Sequence, residues 1–202
     1  RSARREGETL TRFTQSRVAG IVVQPVSIET TTRGAQFAQQ AGIRVTTCMS
    51  PGFGPGAKFF AGLVAVPGRA GGELIGRWLI DNVPGGGEIV VVQGLLGQGV
   101  SEPLDEGLDA ALRASDDLRI VARGPGGNDG REAVAVVRQA LLEHPRASIV
   151  VDYDVTMGTA IARYLRDAGR EDVVHVTSGA DPELERWLRT PYLRATRFFS
   201  PA

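Results

Sequence analysis

The segment LLEHPRASIVVDYDVTMGTAIARYLRDAG, residues 141–169, holds the pattern that decides the fold. Its run Ala147–Val151 is short, apolar and rich in β-branched residues, which is typical of a buried strand. The amphipathic run Val155–Ala168 follows and predicts a helix. Asp154 precedes that helix, where aspartate is a preferred N-cap, although Asp152 and Asp154 could instead form an acid–base pair.

The same alternation of strand and helix continues in both directions, after a first predicted helix over Glu8–Arg17. The other predicted strands are Val18–Val26, Ile43–Thr47, Leu63–Val66, Glu88–Gln93, Leu118–Ala122, Val173–Thr177 and Leu193–Phe199, and the other predicted helices are Ile28–Ala41, Gly68–Asn82, Ser101–Ala114, Asp129–Glu143 and Pro182–Leu188. The glycine- and proline-rich stretches Ser50–Ala57 and Arg123–Asn128 are predicted loops. This order predicts an α/β fold with parallel sheets covered by helices on both faces.

In open parallel sheets, ligands bind outside the carboxyl ends of the strands. Glycine and polar residues are concentrated at those ends, in Thr47–Ser50, Gln93–Gly99, Arg123–Asn128, Asp152–Asp154 and Thr177–Asp181. Such residues also serve the strand–helix turns of any α/β protein, so their position is more informative than their composition.

Composition excludes several classes of protein. The 23 basic and 23 acidic residues give a net charge of zero, whereas nucleic-acid-binding proteins usually carry a basic excess. Cys48 is the only cysteine, so no internal disulfide can form. No apolar run reaches the roughly 20 residues of a membrane-spanning helix.

Motifs for covalent chemistry are missing or incomplete. Residues 52–58, GFGPGAK, fail as a phosphate-binding loop because Ala57 and Phe59 flank the lysine where glycine and Ser/Thr are needed. No G-x-S-x-G nucleophile motif is present. His144 and His175 are interpreted as a helix-end and a packed histidine, so no metal site, cofactor or enzymatic activity is predicted.

Several stretches resemble the type I periplasmic sugar-binding proteins, the ribose- and galactose-binding group, which shares its fold with the effector domains of lac-repressor-type regulators. They are VAGIVVQPVS (18–27), AGIRVTT (41–47), GRAGGELIGRWL (68–79), GGGEIVVVQG (85–94) and, most specifically, residues 141–169. The resemblance covers nearly the whole chain in the right order.

The resemblance implies two Rossmann-like lobes that close on a ligand by hinge motion. The N-terminal lobe would comprise residues 1–66, with 198–202 returning to it, and the C-terminal lobe residues 67–197. Relative to the family pattern, the N-terminal lobe is expected to be incomplete, because the strand, helix and strand that precede the region of Val18 have no counterpart.

The resemblance also places a set of ligand-binding positions. They are Cys48, Met49, Gln98, Leu104, Tyr153, Asp154, Gly179, Asp181 and Phe199. Several of these replace the charged and amide side chains of the family's sugar sites. A ligand less polar than a simple sugar is therefore one interpretation, and a shifted alignment or a degenerate cleft is the other.

We therefore expect an extracytoplasmic solute-binding protein, periplasmic or a cell-surface lipoprotein, whose signal segment is not in this sequence. It would deliver a small molecule to an ABC permease or present it to a membrane sensor, and it would not bind nucleic acid. The alternative is the effector-binding domain of a lac-repressor-type transcription regulator or of a membrane sensor. An α/β enzyme that uses Asp152, Asp154 and Asp181 ranks last.

Overall fold

The computed structural model of the chain describes residues 2–48, 53–64, 67–97 and 99–198. The chain divides into two compact units. The first comprises Arg1–Gly68 with Gly97–Val100, and the second comprises Arg69–Leu96 with Ser101–Ala202. The lobe boundaries inferred from the sequence, including the return of residues 198–202 to the first lobe, stay a prediction.

The first unit is a three-stranded parallel sheet packed against helices. Its elements are α1 (Ala3–Gln15), β1 (Gly20–Val23), α2 (Ile28–Gln40), β2 (Arg44–Thr47), a 3-10 helix (Gly54–Phe59) and β3 (Gly62–Leu63). The strand order is β1-β2-β3, with Ile21 opposite Val45. Leu10 on α1 packs with Ala35 and Ala38 on α2 and with both of these strand residues in one buried apolar cluster.

The partly buried carboxylate of Glu6 joins α1 to the start of α2. It accepts hydrogen bonds from the backbone N–H groups of Val26 and Ser27 at 3.2 Å and from the Thr31 hydroxyl at 2.6 Å. Ser27 also caps α2, because its hydroxyl accepts a bond from the backbone N–H of Thr30. These contacts explain why the chain turns into α2 directly after β1.

Several predicted boundaries in the first unit were wrong. Helix α1 begins at Ala3 rather than Glu8, and β1 covers Gly20–Val23 rather than Val18–Val26. The predicted loop Ser50–Ala57 gives way to a 3-10 helix from Gly54, which has a proline in its first turn. Residues 49–52 and 65–66, which complete that loop and the predicted strand Leu63–Val66, lie outside the described residues.

The second unit is a five-stranded parallel sheet with the strand order β5-β4-β6-β7-β8. Its strands are β4 (Gly87–Gln93), β5 (Leu118–Pro125), β6 (Ala147–Asp152), β7 (Val174–Ser178) and β8 (Ala195–Arg197). Its helices are α3 (Gly68–Asn82), α4 (Ser101–Leu112), α5 (Gly130–Glu143), α6 (Val155–Asp167) and α7 (Pro182–Trp187). The α/β class and the parallel sheets agree with the prediction.

Strands β4 and β6 form the centre of the second core, since Ile89–Val92 and Ile149–Val151 are fully buried. Helices α3 and α4 pack so closely that a methyl group at Gly72 or Gly107 would overlap the other helix's backbone. Ile75 and Leu79 on α3 face this core, whereas the neighbouring Leu74 is half exposed. No helix within the described ranges is both long and apolar enough to span a membrane.

Strand β5 is longer than predicted. The expected loop Arg123–Asn128 begins only after Pro125, because β5 remains paired with β4 up to the contact between Gln93 and Pro125. Pro125 fits there because it ends an edge strand, where a missing backbone donor costs little. The extension places the Arg123 side chain on the sheet rather than in a loop.

Candidate functional site

The carboxyl ends of β4–β8 form one edge of the five-stranded sheet, here called the carboxyl edge. The carboxylate of Asp105, in the first turns of α4, lies at this edge with its side chain 14% exposed. Gln93 at the end of β4 donates from Nε2 to Asp105 Oδ2 at 2.5 Å. The Tyr153 hydroxyl donates to Asp105 Oδ1 at 2.8 Å, and Arg123 Nε lies 3.7 Å from the same oxygen. We call these four residues the Asp105 cluster.

The protonation of Tyr153 is fixed by its surroundings. The side chain is 9% exposed. Burial, together with the negative charge of Asp105, raises the pKa of the phenol well above its usual value. Tyr153 is therefore a hydrogen-bond donor at any pH near neutrality. Arg123 is held from its other side by an ion pair with Asp109, one turn further along α4.

A second group of polar residues lies directly beneath the carboxyl edge, and we call it the Asp152 cluster. Asp152, at the end of β6, and His175, on β7, are both fully buried, and their Oδ2 and Nε2 atoms are 2.8 Å apart. Thr177 donates to Asp152 Oδ1 at 2.7 Å, and the backbone N–H of Asp154 donates to the same oxygen at 3.1 Å. His175 Nδ1 lies 3.1 Å from the carbonyl oxygen of Tyr192.

Asp154 is the N-cap of α6, as one of the two sequence interpretations proposed. Its carboxylate accepts bonds from the backbone N–H groups of Thr156 at 2.9 Å and Met157 at 3.4 Å. Burial raises the pKa of Asp154 despite these donors, and the charge of Asp152 adds to the effect. The two carboxylates serve different contacts, one inside the sheet and one on the helix, which does not favour an acid–base pair.

Arg197, the last residue of β8, brings a guanidinium group to the same edge. Its Nε donates to the Ser178 hydroxyl at 3.3 Å, and its side chain lies against Gly71 on α3, where a methyl group would collide with it. Partial burial lowers the pKa of Arg197, although the group remains a cation.

Of the predicted ligand-binding residues, only Tyr153 belongs to the Asp105 cluster. Leu104 is 1% exposed and lies in the core of the second unit. Gly179 follows β7 with φ of +105° and donates to the Arg197 carbonyl, and Asp181 caps α7 by accepting from the backbone N–H of Leu184 at 2.6 Å. Cys48 is half-buried after β2 in the first unit, and Met49, Gln98 and Phe199 lie outside the described residues.

The sequence interpretation missed Asp105, Arg123 and Arg197 as candidates. Asp105 is the residue after Leu104, so a shift of one position along α4 replaces an apolar side chain with a carboxylate. Arg123 was assigned to a loop, although its position just after an apolar strand indicates a place at the carboxyl end of the sheet. Among the residues that the structure describes, no three His, Cys, Asp or Glu side chains could together hold a metal ion.

The comparisons with known proteins agree with this fold. The family model described as periplasmic binding protein domain matches residues 1–202. The chain therefore belongs to the periplasmic binding protein domain family, and the resemblance to type I periplasmic sugar-binding proteins is confirmed.

The D-allose-binding periplasmic protein of Escherichia coli strain K12 is a curated relative of this chain. The two are 26% identical over 119 residues, which is 58% of this chain. The match spans 38% of the length of that relative.

Two solved structures show the fold. A solute-binding protein from Agrobacterium vitis with bound D-fucose has a TM-score of 0.90 at 18% identity, over 96% of this chain and 68% of that chain. A solute-binding protein from Burkholderia graminis in complex with D-arabinose has a TM-score of 0.87 at 18% identity, over 95% and 67%.

Proposed function

We propose that this chain is the ligand-binding part of an extracytoplasmic solute-binding protein that serves an ABC-type uptake system. Its ligand would be a small, hydroxyl-rich molecule of the sugar class, held between two lobes that close on it. The observation that carries the proposal is the Asp105 cluster, because its polar groups are fixed in place at the carboxyl edge, where ligands of parallel sheets bind.

The chemistry of the cluster suits hydroxyl groups. A hydroxyl group both donates and accepts, and the cluster offers an acceptor in Asp105 and donors in Gln93 and Arg123. Arg197 adds a further donor at the same edge, from β8. The partners of Asp105 hold its carboxylate in one orientation before a ligand arrives, which lowers the entropy cost of binding.

The cluster favours a polar ligand over the less polar one that was one of the two interpretations of the sequence. That interpretation counted Leu104 among its lining residues, whereas Leu104 is in the core and Asp105 lies at the edge. An apolar ligand would leave Asp105 and Arg123 desolvated without a new partner, at a cost of about 1–3 kcal/mol for each group.

We propose a binding function rather than catalysis, since the three carboxylates that the sequence offers for acid–base chemistry, Asp152, Asp154 and Asp181, serve the fold. Asp152 is bonded inside the sheet, and Asp154 and Asp181 are helix caps. The E. coli relative is named a periplasmic protein, which supports placing this protein outside the cytoplasm. Delivery to a permease would follow from closure on the ligand.

Calorimetric titration of the chain with a panel of monosaccharides, and with apolar aromatic compounds of similar size, tests the proposal. We expect a monosaccharide to bind, and we expect Asp105→Asn to weaken it at least tenfold. Glu106→Gln is the matched control, because Glu106 is the next residue on α4 and its side chain is 67% exposed. Binding of apolar compounds alone, or equal affinity in Asp105→Asn, would overturn the proposal.

A further inference from the structure

The hydrogen bonds of the Asp152 cluster fix where its protons must be. A carbonyl oxygen can only accept, so the contact of 3.1 Å with Tyr192 requires a proton on His175 Nδ1. Asp152 Oδ1 already accepts two bonds, from Thr177 and from the backbone of Asp154. The short contact between His175 Nε2 and Asp152 Oδ2 therefore needs one further proton, since a lone pair facing a carboxylate oxygen would be repulsive.

We propose that Asp152 and His175 share this proton in the folded protein, and that the protonated pair positions Tyr153 and Asp154 at the carboxyl edge. Whichever partner carries the proton, the pair as a whole is neutral, which suits a site where both side chains are 0% exposed. The inference concerns the fold of the second unit, so its stability tests do not depend on the proposed ligand.

The positioning role follows from the chain path. Asp152 is the last residue of β6, and Tyr153 and Asp154 form the short turn into α6. The bond from the Asp154 backbone to Asp152 Oδ1 fixes that turn, and with it the direction in which the Tyr153 hydroxyl reaches Asp105. Thr177 fits against the cluster because its neighbour on α6 is Gly158, where a methyl group would lie 2.5 Å from the Thr177 hydroxyl.

The charged and titratable groups on the surrounding elements have other contacts. Asp154, at the start of α6, bonds to helix N–H groups, and Asp181 does the same at α7. Arg197, on β8, bonds to Ser178, and the Tyr192 hydroxyl bonds to Glu171 at 2.9 Å. Asp152 and His175 are therefore the two groups of the cluster that share the proton.

Asp152→Asn and Asp152→Ala separate the bonds of the cluster from its extra proton. The asparagine oxygen can accept from Thr177 and Asp154, and its NH₂ group can donate to a neutral His175, so all bonds are kept without the extra proton. Alanine removes every bond that Asp152 makes, so Asp152→Ala should be less stable to urea than Asp152→Asn.

Nitrogen-15 NMR of the wild-type histidine rings gives a test that needs no variant to fold. We expect Nδ1 of His175 to carry a proton at pH 7.5 and Nε2 to be hydrogen-bonded through the proton shared with Asp152. Both protons should exchange slowly with water. Amide exchange at Asp154 should remain slow in Asp152→Asn and become faster in Asp152→Ala. A His175 Nε2 without a proton contact, or equal amide exchange at Asp154 in Asp152→Asn and Asp152→Ala, would overturn the proposal.

Discussion

Replacement of Asp105 by alanine should destabilise the second unit, because this carboxylate is the common partner of the Asp105 cluster. The substitution removes the acceptor of the Tyr153 hydroxyl at 2.8 Å and of the Gln93 amide at 2.5 Å. It also removes the charge that faces Arg123 Nε at 3.7 Å. The side chain is 14% exposed, so water replaces these bonds only in part.

The magnitude follows from the burial of each partner. The Tyr153 side chain is 9% exposed, and a buried hydroxyl left unpaired costs about 1–3 kcal/mol. Gln93 is half-buried and can bond to water instead, so the loss of its bond to Asp105 adds about 0.5–1.5 kcal/mol to the cost. Alanine has a higher helix propensity than aspartate, which offsets about 0.5 kcal/mol of this cost within α4. The free energy of unfolding should therefore fall by about 1–4 kcal/mol.

Urea unfolding followed by tryptophan fluorescence measures this change directly. Both tryptophans, Trp78 on α3 and Trp187 on α7, lie in the second unit, so the signal reports on its unfolding. Glu106→Ala is the control, since its ion pair with Arg69 is long and exposed and should contribute less than about 1 kcal/mol. If Asp105→Ala cost no more than this control, the bonds at Asp105 would not stabilise the folded protein.

Three further changes test the helix contact, the N-cap and the phenol by the same urea assay. Gly107→Ala should cost about 1–3 kcal/mol, because the new methyl group would overlap the backbone carbonyl of Arg69, and a neutral result would mean that α3 and α4 can separate freely. Asp154→Asn keeps an N-cap and removes a carboxylate whose pKa burial raises, so the variant should be more stable than wild type at pH 7. This gain should vanish below the usual pKa of aspartate. Tyr153→Phe should cost about 1–2 kcal/mol at pH 7 through the lost bond to Asp105. Because the pKa of Tyr153 is raised in the folded state, wild type should lose this advantage above pH 10, and a constant difference up to pH 11 would contradict the assignment.

The fold was largely predictable where burial alone determines the pattern. Helix α3 begins and ends at the predicted residues, and strands β4 and β6 differ from prediction by one residue each, because continuous β-branched runs fit only a sheet covered on both faces. Strand β5 was cut short because glycine and proline at its end indicate a loop, whereas pairing with β4 keeps that segment extended.

The candidate site was less predictable, because it depends on which residues the register brings together. Asp152 and His175 are 23 residues apart in the chain, and only the pairing of β6 with β7 makes them neighbours. The same holds for Tyr153 and Asp105, which are 48 residues apart. A sequence pattern identifies each residue as polar at a strand end, but contacts between such residues arise from topology.

The strand order β5-β4-β6-β7-β8 has a consequence for how the second unit folds during synthesis. The central strand β4 cannot pair with β6 until the chain through Asp152 has left the ribosome, since each parallel pair needs its crossover helix first. Contacts so distant in the chain form slowly. Strand β8 pairs last, so a chain stalled before Ala195 would expose β7 as a sheet edge that can pair with another molecule. Attachment of the three residues Ala195–Arg197 covers β7 and leaves a shorter strand at that edge of the sheet, which offers another molecule fewer unpaired backbone groups.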